Sequence, residues 1–151
     1  MFLILPYSTD LRVYHKPYVT YGVTLLCIII FCLQTTSPYS FTEKLMYYPD
    51  TLNPLTMLTS ALAHGDFMHI LFNLIFFLAF APAVEVVIAN KKKFILILVS
   101  LSFIVSLSYA LSIVITAGKA IPTLGLSGVV TGMIGLSAYL LPKARIRVFI
   151  W

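Results

Sequence analysis

A chain of 151 residues that is 60% hydrophobic and only 10% charged, with a mean hydropathy of +1.00, has too little polar surface to close around a soluble core. Its net charge of +5 sits at the ends of apolar segments and forms no basic stripe, so nucleic acid is excluded as a partner. Cys27 and Cys32 lie in one apolar run, away from metal spacing, where thiols pack as small apolar groups.

Taken in chain order, Met1 to Pro6 is apolar but too short for a signal peptide and has no basic region ahead of it, so a frayed terminus is expected. A helix needs roughly 20 apolar residues to cross the hydrocarbon. A first span is predicted over about 18–34, within the uncharged stretch Pro17 to Thr42. A long external loop, 35–63, follows, punctuated by Ser37-Pro38, Tyr48-Pro49-Asp50 and Asn53-Pro54. Its aromatic and apolar residues suit the membrane interface. A second span is predicted over about 67–90, a third over about 94–117 and a fourth over about 126–141. No repeat or hinge divides the chain, so the expected fold is one all-α domain, a polytopic transmembrane helix bundle.

Arg12 and Lys16 precede the first span, Lys91, Lys92 and Lys93 follow the second, and Lys143, Arg145 and Arg147 follow the fourth. Alternating crossings put these on one side and leave Lys44 and Lys119 on the other. That asymmetry predicts a cytoplasmic amino terminus. Within the second span, Pro82 is expected to kink the helix and Glu85 to pair with Lys91 to Lys93. The serines of the third span (Ser100, Ser102, Ser106, Ser108 and Ser112) are expected to let helices approach and to bond back to their own backbone.

Two polar clusters belong to the external half. In His64-Gly-Asp-Phe-Met-His69-Ile-Leu-Phe-Asn73, His69 and Asn73 are four apart and share a helix face. Both ordinary interhelical hydrogen bonds and a site remain open for them. Asp66 is placed to cap the second span. A metal site at His64, Asp66 and His69 lacks the His-Glu-x-x-His pattern, so no metal is expected. In the second cluster, Gly125 and Gly128 bracket Ser127 where the fourth span begins, and Gly128, Gly132 and Gly135 form a close-packing stripe. A helix from Ser127 to Leu141 covers about 22 Å, short of the hydrocarbon thickness of about 30 Å. With Lys143 to Arg147 held at the cytoplasmic surface, Ser127 is left recessed below the external one. The segment before it then has to line a wet pocket, because irregular backbone at depth needs protein or water around it.

Leu58 to Asn73, Ala83-Val84-Glu85 and Gly125-Leu-Ser127-Gly128 resemble, in order and spacing, the rhomboid family of intramembrane serine proteases, over roughly Asn53 to Arg147. The resemblance implies about four spans of a six-span rhomboid core and cleavage of transmembrane substrates near the bilayer boundary. It assigns Ser127 as nucleophile. It makes His69, Asn73 and the Ser127 backbone N–H the oxyanion donors, with His64, Gly125 and Gly128 supporting. It implies no cofactor, and as partners a transmembrane protein substrate and the lipid bilayer, here expected to be a bacterial inner membrane. The family's base is a histidine on a later span; His15, His64 and His69 are the only histidines here. Arg147 to Trp151 reads as the start of a fifth span, so a fragment of a longer protease is expected, inactive by itself. The family's frequent Trp-Arg in the long loop is Leu55-Thr56 here, and its frequent aromatic four residues after the serine is Thr131. The alternative reading is a rhomboid-like protein that binds transmembrane helices without cleaving them.

Overall fold

The computed structural model describes residues 4–9 and 16–150, with 4–9 and 146–150 described by backbone alone. Arg12 and His15, together with Met1 to Leu3 and Trp151, lie outside the described residues. The described elements are strand β1 (Ile4–Thr9), helices α1 (Tyr18–Thr36), α2 (Tyr39–Leu45), α3 (Pro54–Thr59), α4 (Phe67–Ile88), α5 (Lys91–Thr116) and α6 (Ser127–Leu140), and strand β2 (Ile146–Ile150). Three helices, α1, α4 and α5, are long and apolar enough to cross a membrane, and α6 is a shorter apolar helix. Together they form a polytopic helical bundle.

The most buried of these is α4, packed against α1, α5 and α6. Its Phe77, Phe80, Ala81 and Val84 meet Cys27 of α1, Phe94 and Leu98 of α5, and Val130 and Met133 of α6 in one apolar cluster. Close packing carries this contact, since lipid tails are as apolar as the side chains themselves. Pro82 lies within a helix assigned without a break. Against α5, Gly132 leaves room for Leu101, whose Cδ2 would be 2.6 Å from an added β-carbon, and Gly128 is just as closed by Val105. A β-carbon added at Gly135 would meet no atom of another element within 4 Å, so the small-residue stripe packs at its first two positions and not at its third.

Glu85 takes a different partner from the lysines that follow it. Helix α1 begins at Pro17 without a side-chain cap or an acid in its first turn. The buried Glu85 carboxylate fills that role, accepting from Val19 N (2.9 Å), Thr20 N (2.8 Å) and Thr20 Oγ1 (2.7 Å). An anion at a helix amino terminus meets both unpaired N–H groups and the positive end of the dipole. Lys91 instead lies over the Tyr18 ring, 4.8 Å from its centroid.

The connection after α1 is more ordered than a plain loop. It holds α2, α3 and a 3-10 turn at Ser60–Leu62. Asn53 caps α3 by accepting from Leu55 N at 2.9 Å, with Pro54 in the first helical position, where a missing N–H costs nothing. The other correction concerns the two ends of the chain. β1 pairs antiparallel with β2, and the register shifts between Pro6 and Ser8, next to the residue that has no N–H to donate. Of the segment read as the start of a fifth span, Arg147 to Ile150 lie in this second strand and Trp151 lies outside the described residues, and Ile4 to Pro6, expected to fray, belong to the first. Ile146, Val148 and Ile150 alternate along β2, a β-branched pattern of period two that favours a strand over a helix start.

Candidate functional site around Ser127

Asp66 starts α4 as expected of it, its Oδ1 accepting from His69 N at 2.8 Å. The carboxylate is thereby committed to the helix end, and no three metal-ligating side chains converge among the described residues. From this start, His69 and Asn73 project one turn apart towards α6; Asn73 is buried and His69 half-buried. Both meet Gly125, where an added β-carbon would stand 2.6 Å from His69 Nε2 and 3.8 Å from Asn73 Nδ2. Gly125 has φ +122°, a conformation open to glycine and strained for other residues.

Ser127 opens α6 two residues later. No side chain caps this helix, so its first-turn N–H groups are left for another acceptor. A cavity of about 540 Å3 is lined by Ser127, Thr131, His69 and Asn73, with Asp66 at its rim and Phe72 and Phe76 among its apolar walls. The structure thus brings Ser127, His69 and Asn73 to one space. Thr131 Oγ1 bonds back to the Ser127 carbonyl at 2.9 Å. Gly128 faces away from this cavity's lining, towards Val105.

The backbone that delivers Ser127 is held at alternate residues. Tyr109 of α5 places its hydroxyl on Ile121, donating to the carbonyl at 2.9 Å and accepting from the N–H at 3.3 Å. Thr123 exchanges two backbone hydrogen bonds with Tyr47, both at 2.9 Å. Gly125 N donates to the Ser60 carbonyl at 2.8 Å. These three attachments satisfy the irregular segment that cannot satisfy itself in helix or sheet. Tyr47, Ser60 and Tyr109 were not legible as site residues, because none lies in a spaced motif with Ser127. Each contributes from a different element, and two of them through backbone groups that any residue carries.

His64 sits behind the cavity. Its ring is buried, 5.3 Å from the His69 ring centroid at an interplanar angle of 73°. Neither ring nitrogen has a hydrogen-bond partner among the described residues. Burial, helped by the neighbouring His69, pushes its pKa down to about 4. The main chain at this residue is clamped by the Gln34 amide, which accepts from His64 N and donates to His64 O, each at 3.1 Å.

No curated protein matches the chain. Residues 52–151, more than half of it, match the Rhomboid domain. Order of motifs, helical architecture and this match agree: the chain belongs to the rhomboid family.

Proposed function

We propose that this chain carries the nucleophile and oxyanion half of an intramembrane serine endopeptidase. Ser127 attacks a peptide carbonyl of a transmembrane substrate near the bilayer boundary. The negative charge that develops on the carbonyl oxygen is met by Asn73, by His69 and by the Ser127 N–H at the amino end of α6. Donors fixed before the reaction are typically the largest electrostatic contribution to such a step. The observation that carries the reading is the single cavity lined by Ser127, His69 and Asn73, with Gly125 packed on the last two.

A serine hydroxyl also needs a base. His69 is packed on Gly125, and His64 is buried without a partner. The base in this reading is a histidine from a segment after Trp151, and the 151-residue chain alone is expected to show no turnover. The same observation favours a second reading, a helix-binding member of the family that does not cleave. The orientation proposed is a cytoplasmic amino terminus, since Lys16 and Lys91 to Lys93 share one end of the bundle.

The test uses a longer form of the protein with a single-pass substrate. Ser127→Ala is expected to abolish cleavage at unchanged expression, and persistent cleavage would remove Ser127 from the mechanism. Asn73→Ala is expected to lower the rate on the order of a hundredfold without abolishing it. Absence of cleavage by the unaltered longer protein, with helix binding intact, would select the second reading.

A further inference from the structure

At the end of the bundle remote from Ser127, a cavity of about 490 Å3 lies between the start of α1, the end of α4 and the start of α5. Lys16, just before α1, and Lys91, opening α5, both line it. Neither has an ion-pair partner among the described residues. The one carboxylate in the lining, Glu85, is buried with its oxygens engaged by Val19 and Thr20 of α1. Asn90, also in the lining, spends its side-chain oxygen on Lys93 N at 3.0 Å. Two lysines therefore line one concave space whose acid and amide oxygens are already committed. An anion that both lysines can reach gains charge-assisted hydrogen bonds.

What continues from the cavity identifies the kind of anion. On α1, Tyr18, Tyr21 and Leu25 follow at helical spacing and are 58%, 52% and 58% exposed. On α5, Ile95 stands one turn above Lys91 and is 48% exposed. Exposed apolar side chains thus continue from the lysine-bearing ends of two spanning helices, as a headgroup with acyl chains requires, and a free phosphate has no use for them. Tyr18, with Lys91 over its ring, has the amphipathic character of residues at the headgroup level.

We propose that this cavity is a discrete binding site for the phosphate of an anionic phospholipid, held between Lys16 and Lys91 with its acyl chains along α1 and α5. The site is independent of the proteolytic reading, since none of its residues touches the Ser127 cavity. It differs from diffuse attraction to an anionic surface by depending on which lysines are present and not on how many. Lys92 and Lys93 are exposed beside it but do not line it.

The experiment is native mass spectrometry of the 151-residue chain released from phosphatidylcholine vesicles with and without phosphatidylglycerol. One retained phosphatidylglycerol per chain is expected, and no retained phosphatidylcholine. With about a fivefold contribution per lysine near the surface, Lys16→Gln with Lys91→Gln is expected to weaken retention about 25-fold. Lys92→Gln with Lys93→Gln, the same loss of charge at residues outside the lining, is expected to weaken it far less. Equal losses in the two double variants would overturn the proposal in favour of a diffuse charge effect. Equal retention of phosphatidylcholine would do the same for any role of the anion. Displacement of the lipid by millimolar inorganic phosphate would make this a soluble-anion site. Should the first double variant not fold, each single substitution is expected to show the fivefold loss, and its absence in both would refute the site.

Discussion

The α-carbon of Gly125 lies against the imidazole edge of His69, so that a β-carbon there would come within 2.6 Å of Nε2 and 2.7 Å of Cε1. Positive φ and lack of space act together at this residue, and either alone disfavours a side chain. Gly125→Ala is expected to destabilise the chain by about 2 kcal/mol or more, read as a fall in thermal unfolding temperature in detergent. Because the clash is with one ring, the Gly125→Ala and His69→Ala pair should cost less than the sum of the single changes. Strict additivity would mean that the two residues do not touch.

Tyr109 offers a nearly single-atom test of the segment that precedes Ser127. Tyr109→Phe removes the hydroxyl that both donates to and accepts from Ile121 and leaves the ring in place. A loss of about 1 kcal/mol is expected. Backbone amide exchange at Ile121 and at Thr123 to Gly125 should quicken about fivefold, the kinetic equivalent of that loss, while exchange in α4 stays unchanged. Uniform acceleration across the chain would instead indicate a global effect with no local attachment at Ile121.

Glu85 fastens α1 to α4 through three hydrogen bonds to a buried carboxylate. Glu85→Ala leaves the first-turn amides of α1 without an acceptor in a buried place and is expected to cost on the order of 3 kcal/mol. Thr20→Val removes one of the three bonds and should cost about 1 kcal/mol. Chemical denaturation in mixed micelles measures both, and the larger effect of the glutamate change is the point at issue.

His64 imposes a pH dependence whose sign follows from its pKa of about 4 in the folded chain against 6.5 for the free side chain. Between these values the unfolded chain binds the proton and the folded chain does not, so stability falls as pH is lowered through that window. Above about 6.5 both states are neutral and the contribution is flat. His64→Phe, which keeps an aromatic ring beside His69 and removes two unpartnered nitrogens, is expected to flatten the decline between pH 6.5 and 4 and to be at least as stable at neutral pH. Identical pH profiles for the two proteins would show that this imidazole charges freely in the fold.

Hydropathy, a property that sums along the chain, was enough to place the protein in a membrane and to read it as an all-helical bundle. The four-residue spacing of His69 and Asn73 put both on one side of α4, and Asp66 could be seen as a cap because capping is local. Partner choice was different. Glu85 stands six residues from Lys91 in sequence, yet the amides of Val19 and Thr20, more than sixty residues earlier, hold it. An uncapped helix amino terminus brought against a buried carboxylate outcompetes lysines that can reach solvent. The supports for the segment before Ser127 were equally hidden, since Tyr47 and Ser60 act through backbone groups and Tyr109 reaches Ile121 across a turn between elements. Whether Gly135 packs as Gly132 does, and whether Ile146 to Ile150 forms a strand or a helix start, was likewise decided by which neighbours the assembled fold supplies. Local chemistry specified what each segment could be. Only the meeting of distant segments determined which hydrogen-bond donors found acceptors, because burial gives a polar group its need for a partner and the packed helices determine who that partner is.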